Sequence, residues 1–389
     1  MKASEIRELL KLLDQPNIIS FAGGIPDPAL FPTQEFETAF GRILSDDRQS
    51  SALQYSVSEG FVPLREWIVY QMQGLGIECG LDNVLITSGS QQALDYLGKL
   101  LLSPNDTALL GWPTYLGALG AFNAYEPRYD CLIANGNRSA DDYRNSAAAE
   151  NSRVKFAYMS VDFANPTGET IDLSSRMRLL DMAEELDCAI IEDAAYQSLR
   201  YDGEAVPPIL ALEIERKGTI EQARTVYCGS FSKTLSPGLR VGWICAASSV
   251  INKLVLLKQA SDLHSSTINQ MAIHEVASAG FERQVAKVKT AYRARRDCML
   301  ASLEKFMPAG VSWTRPEGGM FIWLTLPPHI DGAELLATSL QNQKVAFVPG
   351  RAFYADGSNG NTIRLSFSQT PEATIEQGVR RLGQLLSSQ

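Results

Sequence analysis

From about residue 60 to residue 280, short apolar runs alternate with amphipathic helical patterns, and this alternation limits the possible folds more than any other feature of the chain. The runs are VLIT (84–87), TALLGW (107–112), VKFAYMS (154–160), AIIEDA (189–194), TVYCGSF (225–231) and VGWICAA (241–247). Helical patterns such as SQQALDYLGKLLL (90–102), DLSSRMRLLDMAEELD (172–187) and SSVINKLVLLKQASDL (248–263) fall between or after them. Apolar strands separated by amphipathic helices predict an α/β fold, with a mainly parallel sheet covered on both faces.

A long polar helix pattern at about 281–306 then gives way to shorter strands and helices that end in the amphipathic TPEATIEQGVRRLGQLL. The expected organisation is a large domain over 50–287 with its mainly parallel sheet, and a smaller α+β domain over 288–389, with the change near 285–290. Residues 1–49 precede them. Ile6, Leu9, Leu10 and Leu13 stand at helical spacing, and the Gly/Pro-rich FAGGIPDPALFP (21–32) forms an irregular arm expected to pack with the small domain.

Charge and cysteine usage exclude several classes. Lys+Arg 35 against Asp+Glu 44 gives a net charge of −9, which repels phosphate backbones and argues against nucleic acid or an anionic membrane as partner. The six cysteines include no CxxC pair, and Cys188, Cys228 and Cys245 lie in or beside apolar runs. They read as buried free thiols in a reducing compartment, with no disulfide framework or zinc site. No secretory apolar stretch opens the chain and no window of 18 apolar residues occurs, so a cytoplasmic protein is expected. His264, His274 and His329 suggest no metal set: the first reads as structural near the site, the second as helical and the third as part of a loop after two prolines.

Chemistry-bearing residues gather at the expected carboxyl ends of the strands, where open α/β sheets build their sites. SFSKTLSPGLRVGW (230–243) sets Lys233 just after a strand, with Arg240 seven residues later. Asp193 ends another strand and Tyr196 follows it; Asn165 lies in FANPTG (163–168); Ser88-Gly89-Ser90-Gln91 opens a helix whose amides suit a phosphate. Each alone has a plainer reading: a solvated lysine, a turn-forming Asp or Asn, a loop serine. As a set they are the groups a pyridoxal phosphate (PLP) site needs. An amine forms a Schiff base, a carboxylate keeps the pyridine nitrogen protonated, and donors hold the ring oxygen and the phosphate.

The order and spacing of SGSQQAL, WPTY, NPTG, EDAAY, SFSKTLSPGLRVGW, PEGGMFIW and TIRLSFS resemble the fold-type I PLP-dependent aminotransferases of class I/II, across essentially the whole chain. FAGGIPDPALFP, ALQYSVSEG and ASEIRELLK are similar to the 2-aminoadipate aminotransferase and kynurenine aminotransferase II-like branch, which also includes the aminotransferase-like half of MocR regulators. One departure is Val161, Asp162, Phe163 and Ala164, where that branch carries Pro-Asp-Phe-Gln.

The resemblance implies a role for each site residue. Lys233 carries the cofactor and shuttles the substrate proton, Asp193 pairs with the pyridinium nitrogen, Asn165 and Tyr196 hold the ring oxygen, and Tyr115 stacks on the ring. Ser90, Gln91, Ser230, Ser232 and Arg240 form the phosphate cup, which Tyr55 reaches from a neighbouring subunit, so a homodimer with shared sites is implied. Arg364 takes the substrate α-carboxylate, and Gly23 and Gly24 bring the arm's backbone close to it. Arg7 on the leading helix either meets a side-chain carboxylate or stays a solvated charge. The implied reaction moves an amino group between an L-amino acid of 2-aminoadipate, aromatic or branched-chain type and a 2-oxo acid, with 2-oxoglutarate as acceptor. Two alternatives stand beside it. A PLP lyase or decarboxylase uses the same cofactor, although a carboxylate clamp at Arg364 argues against carboxylate loss. A non-catalytic MocR-type effector module needs a winged-helix domain ahead of ASEIRELLK, whereas this sequence starts at Met1.

Overall fold

A computed structural model of the chain describes residues 17–132 and 138–388. The expected leading helix over 1–13, with Arg7, lies outside the described residues. The arm begins with β1 (Ile19–Ser20), which pairs in parallel with Val345–Ala346 near the other end of the chain.

Seven strands form the central sheet: β2 (Val84–Thr87), β3 (Thr107–Gly111), β4 (Arg128–Leu132), β5 (Val154–Ser160), β6 (Ala189–Asp193), β7 (Thr225–Ser230) and β8 (Gly242–Cys245). Their order is β2-β8-β7-β6-β5-β3-β4; β8 runs antiparallel to both neighbours and every other pairing is parallel. β2, β3 and β7 are buried at every position, as strands covered on both faces must be. The strand that sequence patterning passed over, β4, is one of the two edge strands. Its RYDCL has an exposed Arg128 and three half-buried residues, so it lacks the apolar run that marks the others.

The covering helices start and stop where local chemistry directs. The Leu173–Leu186 helix is capped by Asp172, whose carboxylate accepts the Ser175 amide at 2.7 Å. It ends at Asp187 in the left-handed conformation (φ 52°). Among the described residues no helix is long and apolar enough to cross a membrane.

A second sheet follows, made from β9 (Ser312–Trp313), β10 (Phe321–Thr325), β12 (Val348–Pro349) and β13 (Thr362–Ser366), antiparallel throughout in the order β12-β13-β10-β9; β11 (Val345–Ala346) is the partner of β1. One helix, Thr267–Phe306, links the two halves. It begins well before the expected 281 and passes straight through the expected change at 285–290. Its interruption is at Gly280, the one residue inside it with non-helical backbone angles. Before that glycine, Met271, Ile273 and Val276 pack into a core with Phe231 and Trp243. After it, Val288, Tyr292, Met299 and Leu303 pack with Phe321 and Ile363 of the second sheet. The arm joins this second core through Phe21, and Asp27 anchors it by accepting from Arg295 at 2.6 Å and donating its amide to the Tyr292 hydroxyl at 2.9 Å.

The loop after β5 depends on one buried cation. Arg176 is fully enclosed; it donates to the Asp162 carboxylate at 2.7 Å and to the carbonyls of Val161, Ile171, Val206 and Pro207. Removing Arg176 leaves the buried Asp162 carboxylate with Arg200 alone, at the longer distance of 3.5 Å. Arg176→Met is therefore expected to lower the unfolding free energy by about 3–5 kcal/mol, read from urea midpoints. Arg216→Ala, which breaks the exposed pair with Asp181, is expected to cost under about 1 kcal/mol in the same assay.

Candidate active site

The carboxyl ends of β5, β6 and β7 and the turn after β2 converge on one cavity. Ser160 ends β5 and sits in register beside Asp193, which ends β6; Ser230 ends β7, and Ser232 and Lys233 lie in the turn that follows. The Ser90–Leu101 helix starts at the wall, so the first-turn amides, which have no acceptor within the helix, open near the cavity with Ser90 and Gln91. Tyr115, Asn165, Tyr196 and Arg240 complete the lining. Gly89 is required where it stands. Its φ is 79°, and a Cβ there would meet the Arg240 guanidinium at 2.3 Å.

Arg364 enters from the second sheet. On β13 it is buried, donating to Asn165 Oδ1 at 2.7 Å and to the Ala22 carbonyl of the arm at 2.9 Å. Its guanidinium carbon lies 4.3 Å from the Phe321 ring centroid and 5.1 Å from that of Phe353, so two aromatic faces hold the plane. Both sheets and the arm thus meet at a lysine, an aspartate and an arginine.

Residues 45–382 match the family described as aminotransferase class I and II. The chain belongs to that family. It is 40% identical over 398 aligned residues to aromatic-amino-acid aminotransferase 1 of Thermococcus litoralis, covering 100% of this chain and 93% of that protein. It is 42% identical over 386 residues to 2-aminoadipate transaminase of Thermus thermophilus, covering 99% and 94%. Among solved structures, the α-aminoadipate aminotransferase of Thermus thermophilus, complexed with N-(5'-phosphopyridoxyl)-L-leucine, matches with a TM-score of 0.88 and 40% identity, over 100% of this chain and 95% of that one. The protein is a PLP-dependent amino-acid aminotransferase of fold type I.

The aminotransferase cavity fits its cofactor chemically. Asp193 is fully enclosed. Burial pushes its carboxyl above the ordinary range, while hydrogen bonds from the Tyr158 hydroxyl (2.7 Å) and the Ala195 amide (3.2 Å) and the charge of Lys233 pull it back. A carboxylate so placed is incomplete without a cation, and a protonated pyridine nitrogen is one. Burial and the neighbouring Arg364 and Arg240 guanidiniums bring the Lys233 amine down to about 8, against the opposing pull of Asp193. Burial lowers Arg364 itself to about 10. Two buried polar atoms in this region lack partners, Ser160 Oγ and Arg364 Nε.

The ten residues assigned from sequence to the cofactor within one subunit all line this cavity. Gln91 does so with its side-chain nitrogen engaged, donating to the Gly117 carbonyl at 2.6 Å. Tyr55 does not reach the cavity of its own chain; it is 80% exposed, edge-on to His264 at 6.0 Å. The Gly24 carbonyl accepts from Lys233 Nζ at 3.2 Å, and a Cβ at Gly24 would come within 3.4 Å of Phe321 and Arg364. Sequence reading missed Tyr158, whose place in an apolar strand looks like core, and Phe321 and Phe353, which carry no chemistry of their own. Among the described residues no cluster suits a metal ion.

The lowered Lys233 amine has a consequence for stability. Free lysine in the unfolded chain titrates at about 10.4, above the folded value of about 8. Below pH 8 the buried amine is charged in both states and the burial penalty is present in full; between about 8 and 10.4 the folded amine is neutral while the unfolded one is still charged, so stability rises with pH. In the cofactor-stripped protein, wild type should therefore gain stability relative to Lys233→Met across that window, measured by denaturant titration at each pH. A constant difference would contradict the burial of the amine.

Proposed function

We propose that this cavity carries PLP on Lys233 and that the enzyme transfers the amino group of a 2-aminoadipate, aromatic or branched-chain L-amino acid to 2-oxoglutarate. The observation that carries the reading is the placement of a buried guanidinium opposite a lysine of lowered basicity, with Asn165 contacting the guanidinium and a buried aspartate beyond. When bound, PLP supplies the electron sink that makes loss of the substrate Cα proton feasible. Arg364 binds the substrate α-carboxylate, and the Phe321 and Phe353 faces keep its fork in one plane. Once the substrate's amino group has displaced it from the cofactor, the freed Lys233 amine, lowered to about 8 by burial and the neighbouring guanidiniums, would be the base that moves the Cα proton. Asp193, oriented by Tyr158, holds a proton on the ring nitrogen. Asn165 and Tyr196 donate to the ring oxygen, Tyr115 stacks on the ring, and Ser90, the Gln91 amide, Ser230, Ser232 and Arg240 receive the phosphate.

The donor class is supported by the names of the two relatives, an aromatic-amino-acid and a 2-aminoadipate enzyme, and by the leucine adduct in the solved neighbour. Arg7, which lies outside the described residues, keeps both of its readings, a partner for side-chain carboxylates or a solvated helix charge. The domain reading, 50–287 large and 288–389 small with the arm attached to the latter, is supported by the two sheets and by the pairing of β1 with β11. A homodimer is supported by Leu53 (73%), Tyr55 (80%) and Val57 (54%), large hydrophobic side chains that a single chain leaves exposed to water. A cytoplasmic setting is supported by six cysteines that are all free.

Three measurements test this. Borohydride reduction followed by peptide mapping should place a pyridoxyl group on Lys233; a label on another lysine refutes the assignment. Exposing the pyridoxal form to single L-amino acids should convert its spectrum to the pyridoxamine form and release the matching 2-oxo acid, whereas ammonia or carbon dioxide as product marks a lyase or decarboxylase. Mixing the inactive Lys233→Ala protein with an inactive Tyr55 variant should restore up to about a quarter of wild-type activity through hybrid dimers, because one of the two shared sites is then intact. No recovery after demonstrated subunit exchange would place Tyr55 outside the neighbouring site.

A further inference from the structure

Behind the phosphate end of the cavity lies a polar cluster that transamination does not use. Lys258, near the end of the Ser248–Gln259 helix, is fully enclosed. Its ammonium donates to Gln92 Oε1 at 3.0 Å, to both oxygens of Asp262 at 2.9 and 3.0 Å, and to Ser265 Oγ at 2.9 Å. Asp262 also accepts from Gln92 Nε2 at 2.8 Å, from Ser88 Oγ at 3.3 Å and from the Tyr96 hydroxyl at 3.3 Å. Gln92 Oε1 in turn accepts the Ser88 amide at 2.8 Å, and Ser88 Oγ lies 3.2 Å from Ser265 Oγ.

Apart from Tyr96, in the middle of the Ser90–Leu101 helix, the branches of this network end on the turn that opens that helix or on the loop beside it. Ser88 is held from behind through its amide and its hydroxyl, and from the cavity side through its carbonyl, which accepts Arg240 Nη2 at 3.2 Å. The next three residues are Gly89, at φ 79°, and then Ser90 and Gln91 of the cavity wall. A buried ammonium paired with a partly exposed carboxylate adds little net stability, since desolvation of the ammonium offsets the attraction. What they fix is direction. Amides at a helix start bind an anion only when aimed at it, and a turn with a glycine at its centre has no side-chain packing to aim it.

We infer that Lys258 and Asp262 are a positioning pair for phosphate binding: they set the Ser88–Gln91 turn so that its amides and the Ser90 hydroxyl meet the cofactor phosphate. This rests on the reading of the Ser90, Ser230, Ser232 and Arg240 end of the cavity as the phosphate site. Neither residue of the pair lines the cavity, so each acts through Ser88 and Gln92.

The experiment compares PLP with pyridoxal, which lacks the phosphate. The full chain, stripped of cofactor, is titrated with each, and the ratio of the two dissociation constants reports what the phosphate contributes. In Lys258→Met and in Asp262→Asn the PLP constant should rise by about tenfold, the size of one well-aimed hydrogen bond, while the pyridoxal constant stays within about twofold of wild type. The 31P resonance of the reloaded variants should move toward that of free PLP. Asp262→Asn changes a partly exposed side chain without altering its size, so the test survives if Lys258→Met fails to fold. Equal weakening of both ligands would mean a general structural role and overturn the proposal, as would an unchanged PLP constant in Asp262→Asn. A wild-type protein that binds pyridoxal as tightly as PLP would instead remove the phosphate assignment itself, and this proposal with it.

Discussion

A buried guanidinium with no carboxylate beside it dictates how the parts of this enzyme meet. Among the described residues Arg364 pairs with no acid. Its charge is met by an amide oxygen of Asn165, a carbonyl of the arm and two aromatic faces. These four neighbours come from the loop after β5, from the N-terminal arm and from the second sheet and its connections, so the arginine is tolerable only where all of them are assembled. Neutral partners also leave its field uncancelled. That field helps depress the Lys233 amine and draws an anionic group into the gap, two effects that transamination needs together.

Asp193 presents the complementary problem, a negative charge at the enclosed end of a parallel sheet. Its supports, the Tyr158 hydroxyl and the Ala195 amide, stabilise it only in part. The strands therefore deliver opposite unfinished charges to one crevice, and the distribution follows from topology. β5, β6 and β7 run parallel, so their carboxyl ends emerge side by side, and no intervening hairpin separates Ser160, Asp193 and Ser230.

Much of this was legible in the sequence where burial is uniform. The strands of the central sheet lie inside on both faces and read as apolar runs, and motif residues at their ends landed in one cavity as a set. The edge strand β4 was not legible, because it is half wet and RYDCL looks like a loop, whereas β2 at the other edge is buried throughout and reads as an apolar run. The start of the Thr267–Phe306 helix was hidden for the opposite reason: Thr267 and Gln270 are polar yet buried, so the amphipathic pattern becomes regular only after Gly280. Side-chain commitments are harder still. Gln91 sits where its motif places it but donates to Gly117, and Tyr158 and Lys258 do their work through neighbours that no motif links to them.

The arm between Ser20 and Asp27 is fastened at both ends, by strand pairing at one and by Arg295 at the other, and its middle leans on the lysine amine through the Gly24 carbonyl. Such a strap is thermodynamically linked to whatever the amine is doing. When Lys233 is engaged elsewhere the Gly24 carbonyl loses that donor, while the Ala22 and Ile25 carbonyls keep theirs from Arg364 and Ser368. Linkage between equilibria is reciprocal, so the stability of this contact and the position of the amine bias one another. Substitutions at Gly23 or Ile25, which line no part of the cofactor cavity, therefore bear on that balance through the carbonyl between them.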